Sequence, residues 1–167
     1  MTIENLGISI DKTFPAFQKE SASDNFANRR GMEVQHNLCK LLGGLDYVLW
    51  IRETIKDSFE DKNKKDLIIG LDQSKKDLVI PDVSVQVKAS TTGESTFKRD
   101  ITRMLRRQGK TNITREQWLL ENRIIVLVGD LHISKSHKNR WLVTEEQTLA
   151  SFEYQLAKIN DYARSRR

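Results

Sequence analysis

Residues 77–90 carry the pattern that most restricts how this chain can fold. In the second half of this stretch valine alternates with polar residues, and side chains of a strand point to opposite faces at successive positions, so Gln86 and Lys88 share one face. Pro81 with the aspartate after it is a turn signal, and the short apolar run before it is typical of a strand. The pattern therefore predicts a β-hairpin with Asp77 opposite the end of the second strand.

The mouth of this predicted hairpin brings together three kinds of polar group. Asp77 offers a carboxylate, Gln86 an amide oxygen and Lys88 an ammonium group. Carboxylate and amide oxygens are hard ligands that suit Mg²⁺, which keeps several waters and takes phosphate oxygens from its substrate. A neighbouring lysine can orient or deprotonate the attacking water, or stabilise negative charge that develops on a phosphate.

Asp66 is the alternative to Asp77 as the acid of this site. The stretches 64–69 and 75–80 are near-copies eleven residues apart, each with Lys-Lys-Asp before apolar residues. Pairing Asp66 with Gln86 would centre the hairpin earlier and place Pro81 in the middle of its second strand, where proline removes a ladder donor. The sequence therefore favours Asp77 and keeps Asp66 as the second choice.

These residues resemble the active-site hairpin of the PD-(D/E)xK nuclease superfamily, which includes most type II restriction endonucleases and a few homing endonucleases. The resemblance implies that Asp77 and Gln86 bind the metal through their side chains and Val87 through its backbone carbonyl, while Lys88 positions the attacking water. It implies Mg²⁺ as the cofactor, with Mn²⁺ as a substitute. Gln86 departs from the family pattern, which usually has an acid there, and a neutral amide binds metal less tightly.

The resemblance also implies a further acid on the first helix, and Glu33 is in the matching place. A helix is predicted over 24–42, with Gly43 and Gly44 at its end. Its apolar residues mark a buried face beside Glu33: Val34, Leu38, Leu41 and Leu42. Glu33 is therefore a candidate catalytic and metal-binding carboxylate, with an exposed helix residue as the alternative.

The expected fold is α/β, with a restriction-endonuclease-like core of a helix, a mixed sheet containing the active-site hairpin, a helix and a strand. A chain of 167 residues, 38% of them hydrophobic, is long enough for one modest core. We expect a single nuclease domain with its core at about 24–130, an N-terminal arm at 1–23, and a C-terminal extension of a strand and an added helix at 131–167. Strands are predicted at 47–53 and 124–128.

Positive charge is concentrated after the hairpin. The formal net charge is +5, and the segment 98–115 contains seven basic residues and one acid, Asp100. Ile101 and Leu105 recur at helical spacing, so one side of this helix packs inward while the arginines point outward. Arginine binds phosphate through paired hydrogen bonds. The segment therefore predicts contact with double-stranded DNA, and a solvated helix face is the alternative; the candidate DNA-binding residues are Lys98, Arg99, Arg103, Arg106, Arg107 and Lys110.

These features favour a sequence-specific, Mg²⁺-dependent DNA endonuclease of the homing or type II restriction kind. One site per chain cuts one strand, so a homodimer or a higher homo-oligomer is expected. The alternatives are a catalytically inactive DNA-binding module of the same fold, a structure-selective repair or junction nuclease, and a protein whose basic helix binds an acidic protein. The chain shows no membrane-spanning stretch or signal sequence, and its single cysteine, Cys39, has no internal partner, so we expect a cytoplasmic protein without a membrane partner.

Overall fold

The computed structural model describes residues 22–55, 65–88, 91–129 and 145–167, with backbone alone for 22–30 and Thr91. Within these ranges the chain forms an α/β arrangement of four helices and four strands, which confirms the predicted class. In chain order they are α1 (Ala22–Gly43), β1 (Val48–Glu53), β2 (Leu67–Leu71), β3 (Asp82–Lys88), α2 (Thr91–Arg107), α3 (Arg115–Glu121), β4 (Ile124–Val128) and α4 (Glu145–Ser165).

The four strands form one mixed sheet in the order β1-β2-β3-β4. β1 and β2 are antiparallel, as are β2 and β3, whereas β3 and β4 are parallel. Parallel neighbours require a crossover connection, and α2 with α3 provides it. The predicted strands near 47–53 and at 124–128 are confirmed.

The main core lies between one face of the sheet and the helices α1 and α4. Val83 and Val85 of β3 are fully buried on this face, as the alternation of β3 predicts. The two helices contribute residues at helical spacing: Val34, Leu38 and Leu42 from α1, and Phe152, Leu156 and Ile159 from α4. The predicted apolar face of α1 is therefore confirmed.

A second, smaller core lies on the opposite face, under α2 and α3. Phe97, Ile101 and Leu105 of α2 pack with Ile124 and Val126 of β4. α2 ends in a left-handed turn at Gly109, which has φ 67° and donates to the carbonyl of Arg106 at 3.1 Å. Because its buried side chains fall on one stripe, α2 keeps its arginines at the surface.

The predicted hairpin over 77–90 is wrong, because the strand that pairs with β3 is 67–71 and residues 78–80 form no strand. Helix α4 instead satisfies the backbone of this connection: the N–H of Val79 donates to Asn160 Oδ1 at 2.7 Å. Pro81 lies just before β3, and its carbonyl accepts from the N–H of Leu71 at 2.8 Å. Because the β2–β3 connection is long, Pro81 stays outside β3, and a strand that opens at Asp66 loses no ladder donor to proline.

Other predictions fall outside the described residues. These are the N-terminal arm, apart from its last two residues, and the strand of the C-terminal extension. In the part of the chain that the structure describes, no helix has both the length and the apolarity needed to cross a membrane.

Candidate active site

Asp66 and Gln86 lie side by side where β2 begins. The register pairs Leu67 with Val85, which sets the preceding Asp66 opposite Gln86. Gln86 Nε2 donates a hydrogen bond to Asp66 Oδ2. The backbone N–H of Val87 donates to the same oxygen at 2.6 Å. The carboxylate is therefore held between the side chain and the backbone of β3.

Lys88 lies on the same face of β3 as Gln86, two residues further along the strand. Its ammonium nitrogen is 4.9 Å from the ring centroid of Phe97, which is buried in α2. A cation over an aromatic face is attracted by the ring quadrupole, so Phe97 restricts where the ammonium group can lie. Sequence reasoning did not identify Phe97, because this contact joins a strand to the helix that follows it and leaves no spacing pattern.

Gln86 is a buried polar residue of β3, as is Ser84. Gln86 is 4% exposed, and the parallel register places it beside Val126 of the smaller core. A buried amide costs free energy unless it is hydrogen-bonded, and the carboxylate of Asp66 provides a partner. The sequence identified Gln86 from the alternation of β3, which puts it on the face opposite the valines, but this alternation did not show that the side chain is buried.

Asp77 is not brought into this cluster. It is exposed in a left-handed turn with φ 49°, in the connection that enters β3 at Asp82, whereas Gln86 lies about 13 Å further along the strand. Its backbone carbonyl accepts hydrogen bonds from Asn160, at 3.2 Å, and from Arg164. The acid beside Gln86 is therefore Asp66, the second choice from the sequence.

Glu33 is also remote from the cluster by its place in the fold. Its side chain is exposed on α1, and α1 packs through the neighbouring Val34 against the opposite face of the sheet. Sequence periodicity located the helix and its buried face correctly, but it could not tell which face of the sheet the helix covers.

The oxygen atoms at this site suit a weakly held divalent cation. Asp66 offers a carboxylate and Gln86 an amide. The carbonyl of Val87 points to the same side as its N–H, which contacts Asp66. Among the described residues, no group of three or more His, Cys, Asp and Glu side chains could hold a metal ion. With one carboxylate, Mg²⁺ would depend on water and substrate phosphate for most of its ligands.

The basic residues of α2 lie mainly at the surface. Of the six candidates, two form ion pairs within the helix. Lys98 pairs with Glu94, and Arg103 Nη1 lies 3.6 Å from Asp100 Oδ1. The others are exposed on α2 or just after it: Arg99, Arg106, Arg107 and Lys110. The helix thus presents positive charge beginning about two turns after the Lys88 end of β3.

No protein-family model, curated protein or solved structure matches this chain.

Proposed function

We propose that the protein is a metal-dependent endodeoxyribonuclease with its site at Asp66, Gln86 and Lys88. The observation that carries the proposal is the contact between Asp66 and Gln86 across two adjacent strands, with Lys88 on the same face. A carboxylate, an amide and an ammonium group are side chains that metal-assisted phosphodiester hydrolysis can use. The order of helix, three strands, helix and strand supports a restriction-endonuclease-like core.

Each residue has a separate task in this proposal. Asp66, Gln86 and the carbonyl of Val87 hold Mg²⁺ or Mn²⁺. When bound, the metal supplies Lewis acidity and lowers the pKa of a coordinated water. Lys88 orients the attacking water and offsets charge on the phosphate, while Phe97 limits the positions of its ammonium group.

The arginines of α2 account for binding of the substrate. Arg99, Arg106 and Arg107 are exposed on one helix and can each pair with a phosphate of DNA. One site per chain cuts one strand, so cutting both strands of duplex DNA requires a homodimer or a higher homo-oligomer. A homing or type II restriction enzyme would have this organisation.

A DNA-binding module without catalysis is the second candidate, and one observation favours it. Asp66 Oδ2 already accepts from two protein donors, Gln86 Nε2 and the N–H of Val87. A carboxylate that only caps the end of a strand needs no more than these bonds. Such a module binds DNA through α2 and does not cut it with any metal.

Plasmid cleavage by wild type and three variants tests the proposal in Mg²⁺, Mn²⁺ and EDTA. Lys88→Ala does not remove either donor to Asp66 Oδ2 and is expected to slow cutting by about 10²- to 10⁴-fold. Asp66→Asn removes the carboxylate and is expected to abolish cutting. Asp77→Asn makes the same chemical change at an exposed turn and is the matched control, expected to cut like wild type.

Two outcomes would contradict this assignment. Loss of cutting in Asp77→Asn with full activity in Asp66→Asn would place the site at the other acid. Absence of metal-dependent cutting by wild type, on plasmid and on branched DNA, combined with salt-sensitive DNA binding, would support the binding module. Unfolding curves of each variant exclude loss of the fold as the cause.

A further inference from the structure

In the described part of the chain, core helices cover only half of the sheet face that carries the candidate site. On this face α2 contacts β3 and β4, and α3 contacts β4. On β1 and β2 the same face carries Trp50, Arg52, Ile68 and Gly70, because Trp50 pairs with Gly70 and Arg52 with Ile68. Among the described residues, neither core cluster includes any of these four. We call this surface the open face.

The indole of Trp50 lies against the backbone of Gly70. A Cβ atom at Gly70 would be 2.2 Å from Cε2 and Nε1 of Trp50, so glycine is what permits this close approach. The register of β1 shifts between Val48 and Trp50, which packs Val48 in the main core and turns Trp50 to the open face. Trp50 is nevertheless 49% exposed. Part of the indole thus lies against the backbone of Gly70, while about half of the side chain faces solvent.

Positively charged side chains lie on the same side of the sheet as this exposed ring. Arg52 is exposed on the same face, two residues from Trp50. Arg107 is nine residues, or two and a half turns, from Lys98, so the two lie on opposite sides of α2. Lys98 lines a cleft beside the edge strand β4, which puts Arg107 on the side towards β2. Because α2 runs back against β3, Arg107 is also at the Trp50 end of the sheet.

A flat aromatic surface beside arginines matches the chemistry of unpaired nucleic acid. An unpaired base stacks on an aromatic side chain, and the phosphates on either side pair with arginine. A base inside a duplex is already stacked on both sides, so it reaches such a ring only after leaving the helix. Charge and shape therefore identify one occupant for the open face.

We propose that Trp50 binds an unpaired base of the DNA substrate, with Arg52 and Arg107 on neighbouring phosphates. The proposal rests on the proposed function, because it takes the scissile phosphate to lie at Asp66. Trp50 pairs with Gly70, four residues from Asp66 along β2, which is about 13 Å. This length corresponds to about four base-pair steps of B-DNA. The preferred substrate is therefore DNA that is unpaired within about four nucleotides of the cut, which favours a structure-selective nuclease over a restriction or homing enzyme that takes a fully paired site.

Fluorescence of Trp50 tests this inference directly. The protein for this experiment carries Trp118→Phe and Trp141→Phe, which leave Trp50 as the single tryptophan of the original three. It also carries Lys88→Ala, which slows cutting of the DNA probe. The probes are a fully paired duplex and the same duplex with a short single-stranded bulge. The bulged duplex is expected to quench the emission by stacking on the indole, and the paired duplex is not. Equal quenching by both probes overturns the inference.

Binding by single variants provides the second measurement. Trp50→Ala is expected to weaken binding of the bulged duplex by about 5- to 150-fold and to leave binding of the paired duplex unchanged. Tyr154→Ala removes another exposed aromatic side chain, on α4, and is the control expected to change neither affinity. Unchanged affinity of Trp50→Ala for the bulged duplex overturns the inference. A fall in the molecular mass of this variant, measured by light scattering, also overturns it, because another copy of the chain would then cover the ring.

These results are distinguishable from failure of the proposed function. Suppose that wild type cuts DNA with Mg²⁺, and that the ratio of the cutting rates on bulged and paired DNA is the same for Trp50→Ala as for wild type. The inference then fails and the nuclease proposal stands. If bulged DNA quenches Trp50 but wild type cuts nothing, the binding site for an unpaired base stands and the nuclease proposal fails.

Discussion

Replacing Gln86 by glutamate tests the central contact of the candidate site without any assumption about activity. In the folded protein the amide of Gln86, 4% exposed, donates to the carboxylate of Asp66. Gln86→Glu puts two carboxyl groups in contact. The variant loses a hydrogen bond to a charged group, which contributes about 1.5–3 kcal/mol, and adds repulsion between like charges.

Protonation limits the size of this effect. Keeping the introduced carboxyl group neutral at pH 7 costs about 1.4 kcal/mol for each pH unit above its ordinary pKa near 4.3, or about 3.7 kcal/mol. Without metal, we therefore expect Gln86→Glu to lower the free energy of unfolding by about 2–4 kcal/mol at pH 7 and by about 1 kcal/mol at pH 5. The sign follows because contact with Asp66 raises the pKa of the introduced group in the folded state. The unfolded chain then binds fewer protons, and stability falls as pH rises above about 4.

Urea unfolding at pH 5 and pH 7 in EDTA measures this difference. Gln108→Glu adds the same charge at an exposed position after α2 and is the matched control, expected to stay within about 0.5 kcal/mol of wild type. Mg²⁺ is expected to restore part of the loss in Gln86→Glu, because two carboxylates hold the cation better than one. Equal stability of the two variants at pH 7 would refute the contact between Gln86 and Asp66.

Three further predictions concern the rest of the fold. Burial raises the pKa of the Cys39 thiol to about 12, so at pH 8 iodoacetamide should modify the folded protein far more slowly than the unfolded chain, as mass spectrometry would show; equal rates would contradict this. Gly129→Ala would place a Cβ 2.7 Å from Val34 Cγ1 and should destabilise the protein by about 1–3 kcal/mol in thermal unfolding, whereas an unchanged melting temperature would mean that α1 packs elsewhere. Asn160→Ala removes the acceptor for the N–H of Val79, so it should lower the free energy of unfolding in urea by about 1–3 kcal/mol and speed hydrogen exchange at that amide. An unchanged exchange rate would contradict the contact.

Local patterns of the sequence were sufficient for most of the helices and strands. The helix ending at Gly43, the alternation in β3 and the apolar run 124–128 each report which side of an element is buried. This information is local because the period of burial is set by the geometry of the element itself. The α/β class and the mixed sheet follow from the order of these elements along the chain.

Tertiary contacts decided which aspartate lies beside Gln86. The stretches that contain Asp66 and Asp77 are near-copies, so their local preferences are almost the same. Asn160, more than 80 residues away, binds the backbone at Asp77 and Val79, where the second copy lies outside the sheet. The place of the indole of Trp50 on Gly70 was likewise settled by the β1–β2 register. Choices between locally equivalent segments depend on partners distant in sequence, and only the folded chain brings those partners together.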